Sequence, residues 1–298
     1  MPMARTTLTM GPVLFNWPAE RWRDFYFRIA DEAPVSHVCV GEVVCSRRQP
    51  FFAEVLPDVV ERLERGGKKV LLSSLALPTL ERERRHAAAL GEGSHMVEAN
   101  DVSTLTHLTR RPHAIGPFVN VYNEATAAFL AARGAERIAL PPELPRASIS
   151  TIAAAAPGTA IEVWAFGRVP LALSARCYHA RLNGRTKDSC QFVCEKDHDG
   201  LEVATLDDQK FLAINGVQTL SYTYCSLLKE AVDLSQLGVA ALRLSPHTCD
   251  MVSVARHFRD VLDGRREPED ATERLRALCP DAAFSNGFVR GVAGALYV

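Results

Sequence analysis

Eight short β-rich runs recur along this chain with amphipathic stretches between most of them, and that alternation limits the possible folds more tightly than any motif does. The runs are TLTMGPVLF, SHVCVG, KKVLLSS, SHMVEA, HAIGPFVN, RIALP, AIEVWAFG and GVAALRLS. Stretches such as AERWRDFYFRIADEA, LPDVVERLERGG and NEATAAFLAARGA lie between them, with apolar residues at i, i+3 and i+4 and glycine close to the end of the last two. Strands alternating with helices pair in parallel through right-handed crossovers. Eight such strands predict an α/β fold of the (β/α)8 TIM-barrel-like kind, not an open doubly wound sheet.

The chain has 298 residues, 47% of them hydrophobic, enough to fill one barrel core. Residues 1–298 are therefore expected to form a single domain. The alternation breaks between the seventh and eighth strands, and residues 174–236 read as a cysteine-rich insertion or arm, a β-hairpin followed by a helix. A formal net charge of -1 gives the chain no overall field to attract nucleic acid or an anionic membrane. The N-terminal residues lack the apolar core of a secretory signal, and no apolar run is long enough to span a bilayer, so a cytoplasmic location is expected.

In a barrel, chemistry sits on the loops that follow the strands. The polar residues there are Asn16, Glu42, Cys45, Ser74, Glu98, Asn100, Asn120, Tyr122, Asn123, Glu143, Arg168 and Ser245. Asn123, just before EATAAFL, is expected to cap that helix.

Eight cysteines, at 39, 45, 177, 190, 194, 225, 249 and 279, argue in a reducing compartment for metal binding or apolar packing over disulfides. Cys177, Cys190 and Cys194 follow a C-x12-C-x3-C spacing. The last two are expected on one helical turn, with Cys177 folded back through the Asn183-Gly184 turn. Three thiolates do not complete the four-coordinate site of a structural zinc or an iron–sulfur cluster. Cys45 stands out as the fourth because it lies just past a barrel strand, on the face that also carries Cys177. Cys39 lies inside a strand, and Cys225, Cys249 and Cys279 are expected on or beside helices as buried packing thiols. The radical-SAM triplet fails, because position 197 is aspartate. By ligand type alone, zinc and an iron–sulfur cluster both stay open.

Six segments, GPVLFNWP, HVCVGEVVCSRR, FGRVPLALSARCYHAR, KDSCQFVC, INGVQTLS and LRLSPHTCD, appear in this order along nearly the whole chain. Together they resemble the collagenase-like peptidase family, whose catalytic type was never established, and within it the members that act in oxygen-independent ubiquinone biosynthesis. The resemblance implies a 4Fe-4S cluster held by Cys45, Cys177, Cys190 and Cys194. It also implies a heterodimer with a UbiU-like protein, further ubiquinone-biosynthesis proteins as possible partners, and hydroxylation of the quinone ring without O2, with prephenate as oxygen donor. On that reading the chain is a subunit of an anaerobic hydroxylase, with no acid or base assigned. Close relatives can carry an additional cysteine beside the last ligand, where this chain has Phe192-Val193.

Three other functions compete. The peptidase reading finds neither G-x-S-x-G nor HEXXH, and none of His37, His95, His113, His179, His198 or His247 pairs with a serine or cysteine in a known signature. RNA base hydroxylation, known among relatives, has only the basic stretches 110–113 and 180–188 to draw on. A structural zinc scaffold is the third. Arg176 and Arg181 flank Cys177 as Glu42 and Arg47 flank Cys45. The arginines are read as offsetting cluster charge or gripping a carboxylate, and all four as able to form ordinary surface ion pairs.

Overall fold

The computed structural model describes residues 5–298. Seven strands come first: β1 (Thr7–Met10), β2 (His37–Val40), β3 (Lys69–Ser73), β4 (Met96–Ala99), β5 (His113–Ile115), β6 (Ala135–Ala139) and β7 (Ala160–Leu173). Three more, β8 (Leu201–Ala204), β9 (Lys210–Asn215) and β10 (Gln218–Ser226), precede β11 (Ala241–Leu244), and β12 (Phe284–Ser285) ends the series. β1 to β7 pair in parallel in chain order. β11 then pairs in parallel with both β1 (Thr7 opposite Ala241) and β7 (Glu162 opposite Ala241), which closes an eight-stranded barrel. The fold is the TIM-barrel-like α/β architecture that the alternation implies.

Several strands differ in length from their apolar runs. β1 stops at Met10 and β5 at Ile115, each just ahead of a Gly-Pro pair, because proline offers no N–H to the ladder. β7 instead continues to Leu173. Its first half belongs to the barrel, and its second half pairs antiparallel with β10. β10 pairs with β9 and β9 with β8, so residues 174–236 contain a meander of three strands grafted on β7 rather than a single hairpin. Cys225 is therefore a strand residue, paired opposite Gly167, and not beside a helix as its surroundings in sequence suggest.

The crossover helices bury the expected stripe. The helix Ala19–Glu32 turns Trp22, Tyr26, Ile29 and Ala30 inward, and Trp22 stacks on Phe52 at 4.7 Å. Its neighbour Leu56–Arg65 buries Val59 and Leu63 and ends at Gly66, where a Cβ would stand 2.6 Å from the Ala30 carbonyl oxygen. Only glycine allows the two helix ends to approach that closely. Asn123 does cap the helix Glu124–Ala131, its Oδ1 accepting the Thr126 N–H at 2.8 Å. Among the described residues no helix is long and apolar enough to cross a membrane.

The barrel interior is ionic where branched apolar layers are usual. Arg243 on β11 donates to Glu98 at 2.7 Å and to Glu162 at 2.8 Å, and Arg137 on β6 donates to Glu162 at 2.7 Å. Thr9 adds a 2.6 Å bond to Glu162, and Ser73 adds a 2.7 Å bond to Glu98. Burial alone pushes the Glu162 carboxyl up, but Arg137 and Arg243 outweigh it and hold the group at about 2. Ser74, Glu98 and Asn100, three of the strand-end polar residues, are thereby committed to one another: Asn100 N–H donates to Ser74 Oγ at 2.9 Å and its amide to the Ser74 carbonyl at 3.1 Å.

Candidate metal centre

The loop after β2 carries Cys45, and a buried carboxylate shapes it. Glu42 accepts the backbone N–H groups of Val44 at 2.7 Å and Cys45 at 2.8 Å, with burial holding its carboxyl above the ordinary range. Glu42 is thus a loop brace. Cys45 itself is half-buried, and burial pushes its thiol up.

Arg47 and Phe51, just beyond, reach across to the second cysteine segment. The Arg47 guanidinium lies over the Phe192 ring at 5.4 Å and donates to the Lys187 carbonyl, and Phe51 meets Phe192 edge-on at 4.6 Å. Phe192 sits between Cys190 and Cys194. The spacing C-x3-C does not form a helical turn here. Gln191 and Phe192 are both left-handed, at φ 46° and 51°, and a 3-10 turn over Val193–Lys196 follows. Two consecutive non-glycine residues in that conformation cost roughly 1–2 kcal/mol each. The aromatic clamp on Phe192 and the Val193 N–H bond to the Cys190 carbonyl at 3.3 Å hold the turn against that cost.

Cys177 caps the short helix Tyr178–Leu182, its sulfur accepting the Ala180 N–H at 3.4 Å. Two residues on, buried His179 reaches Asp197 through Nε2 at 2.7 Å and so ties the Cys177 helix to the segment that carries Cys194. Asn183-Gly184 ends that helix and turns the chain back as expected, with Gly184 at φ 67°. Burial raises the Cys177 thiol, and the nearby Cys194 and Cys190 thiols reinforce the shift.

Arg48 stands at the centre of this arrangement with only 2% of its surface exposed. Its Nη1 donates to the Leu14 carbonyl at 2.9 Å and its Nη2 to Asn215 Oδ1 at 3.0 Å. Gly216, at φ 61° in the turn between β9 and β10, leaves room for it, since a Cβ there would stand 2.9 Å from Nη2. Burial disfavours its charge, yet the neighbouring Cys194, Glu42 and Cys45 together raise the guanidinium above its ordinary value. Buried Nε has no partner among the described residues.

The two cysteine-bearing regions, far apart in sequence, thus meet around one buried cation. The donor set is all thiol, and the orphaned Nε of Arg48 is a charge-assisted donor awaiting an anionic group. Both features fit a thiolate-ligated, negatively charged cluster. Among the described residues, no three His, Cys, Asp or Glu side chains are drawn close enough to hold a single metal ion. The other cysteines lie elsewhere: Cys39 inside the barrel beside Glu98, Cys225 in β10, and Cys249 and Cys279 together on a separate cavity.

The remaining strand-end residues scatter. Tyr122 is exposed and donates to Glu143, Asn120 ends a 3-10 turn in the left-handed region, and Ser245 is buried beside Gly167. Asn16 is buried at the end of the first loop. Arg168 is fixed by the carbonyls of Asp199 at 2.9 Å and Ser221 at 3.1 Å. His247 forms a dyad with Asp199 at 3.1 Å, but its Nε2 accepts the Arg168 N–H at 3.0 Å, which leaves no free nitrogen to act as base for the nearby Cys249. Arg176 and Arg181 are exposed and line an open groove of about 520 Å3 with Cys177, Arg185 and Lys187.

Sequence reasoning missed Arg48, the Phe51–Phe192 clamp, and the His179–Asp197 tie. Arg48 was visible as the second arginine of CSRR, but nothing in the sequence distinguishes a buried guanidinium from an exposed one.

Residues 19–296 match the family model described as Peptidase family U32. Among solved structures, one described as "The Structure of the U32 Peptidase Mk0906" is similar at 13% sequence identity and a TM-score of 0.44, covering 83% of this chain and 95% of that one.

Proposed function

This chain belongs to peptidase family U32, and from that premise we propose that it is a UbiV-like iron–sulfur subunit of an oxygen-independent hydroxylase in ubiquinone biosynthesis. Cys45, Cys177, Cys190 and Cys194 hold a 4Fe-4S cluster, a UbiU-like protein completes the heterodimer, and prephenate donates the oxygen. The observation that supports this reading is the meeting of the two cysteine regions around buried Arg48, whose Nε is unpartnered.

When bound, such a cluster supplies one-electron chemistry, and four cysteine ligands leave it coordinatively complete. The work of this chain is to hold it. Glu42 fixes the backbone of Cys45, His179 with Asp197 fixes the Cys177 helix, Phe51 and Arg47 fix the turn between Cys190 and Cys194, and Arg48 offsets negative charge in a place without solvent. Proteolysis is disfavoured, because His247 beside Cys249 and His179 beside Cys177 each have both ring nitrogens engaged.

The test is anaerobic purification followed by iron and sulfide quantitation with visible and EPR spectra. A brown protein with about four irons per chain is expected. A colourless protein that binds zinc stoichiometrically and never takes up iron would overturn the proposal. RNA base hydroxylation would gain ground only from a steeply salt-dependent affinity for RNA.

A further inference from the structure

Cys249 and Cys279 come from different parts of the chain. Cys249 follows β11 in the loop that leads to the helix Met251–Leu262, and Cys279 ends the helix Pro268–Leu278. Both thiols are free, and they line one cavity of about 270 Å3 together with Arg168, Asp199, Tyr224 and Thr248. Each thiol shifts the titration of the other, and Cys249 Sγ donates to Met251 Sδ at 3.7 Å. Cys249 is partly exposed, so a thiol reagent entering the cavity reaches the pair. Nothing in the proposed metal centre uses either residue.

We propose that Cys249 and Cys279 are a dithiol modification site, which a low-molecular-weight disulfide such as oxidised glutathione converts to an intrachain disulfide. The neighbouring Cys249 thiol holds the Cys279 thiol below its ordinary value, against the opposing effect of burial. Cys279 is therefore the attacking group. Its thiolate bonds to one sulfur of glutathione disulfide, the S–S bond breaks, and one glutathione leaves as thiolate and takes up the proton that Cys279 released. Cys249 then gives up its proton and attacks the Cys279 sulfur, expelling the second glutathione. The protein loses two protons and two electrons, and one glutathione disulfide becomes two glutathiones.

The bond would have a structural consequence. Thr248, next to Cys249, donates its N–H to Asp199 at 3.0 Å, and Asp199 follows the cysteine segment by a few residues. Oxidation would pin that loop to the end of the helix Pro268–Leu278.

The experiment treats the full, anaerobically purified chain with oxidised glutathione, alkylates the remaining thiols, and maps the peptides without reduction. The expected result is a cross-linked peptide containing Cys249 and Cys279, lighter by two hydrogens, with alkylation lost at both. Cys249→Ser should trap glutathione on Cys279, because no resolving thiol remains. Full alkylation of both residues in the treated wild-type protein, or cross-links that join only other cysteines, would overturn the proposal. Loss of iron from the centre, or its absence from the start, changes neither reading.

Discussion

Phe192 stands edge-on to Phe51 with ring centroids 4.6 Å apart and planes inclined by 79°. This contact joins the loop that follows the second barrel strand to the residue between Cys190 and Cys194. Aromatic pairs of this geometry contribute about 0.5–1.5 kcal/mol beyond their buried area. A double-mutant cycle with Phe51→Ala and Phe192→Ala should return a coupling in that range in denaturant melts. Phe192→Gly should be about 1 kcal/mol more stable than Phe192→Ala, since glycine relieves the left-handed backbone that alanine keeps. Equal stabilities would show that residue 192 is unstrained.

Replacing Cys45, Cys177, Cys190 or Cys194 by Ala removes one thiolate anchor each, and bound iron after anaerobic reconstitution should fall several-fold in all four variants. Cys39→Ala and Cys225→Ala should keep wild-type iron, for both thiols are buried away from the centre, in the barrel and in β10. A Cys45 variant that keeps its full iron would move the fourth ligand elsewhere.

Arg48→Met should cost about 3 kcal/mol of stability, because the carbonyl of Leu14 and the amide oxygen of Asn215 lose buried donors. It should also lower iron retention, since among the described residues Arg48 is the buried cation beside Cys45 and Cys194. Arg48→Lys keeps the charge without the fork and should fall between. A Met variant with full iron and full stability would remove Arg48 from the account.

Burial, reinforced by the neighbouring Arg137, lowers the His37 imidazole from its ordinary 6.5 to about 4. The unfolded chain therefore binds a proton between about pH 6.5 and 4 that the folded chain refuses. Stability from this group is present above pH 6.5 and lost as pH falls through that window. His37→Gln should flatten the slope of stability against pH between 6.5 and 4 relative to wild type, measured by urea melts at fixed salt. An unchanged slope would mean that His37 titrates alike in both states.

The eight-fold alternation made the barrel legible, because each apolar run lies on a strand that ends buried between its neighbours. The extension of β7 was not legible, since VPLAL continues an apolar run without announcing that it changes partners and direction of pairing. The cysteines could be nominated from spacing and loop position. Their surroundings could not, since Arg48 and Phe192 gain their roles only when segments distant in sequence meet. The ionic barrel core hid for a similar reason: Glu98, Glu162, Arg137 and Arg243 lie singly in four different strands, β6 and β7 bring Arg137 to Glu162 as neighbours, and only closure by β11 brings Arg243 to both acids.

The closing strand β11 is synthesised only after the whole cysteine-bearing meander. A nascent chain that has reached the end of β7 thus holds seven strands with two raw edges, and its lone Arg137 and two acidic residues lack the guanidinium of Arg243. Such a species exposes ladder groups that invite wrong pairing. The meander takes only the outer half of β7, so the inner half of β7 and the free edge of β1 stay open until β11 arrives, and the barrel can close only from its last strand.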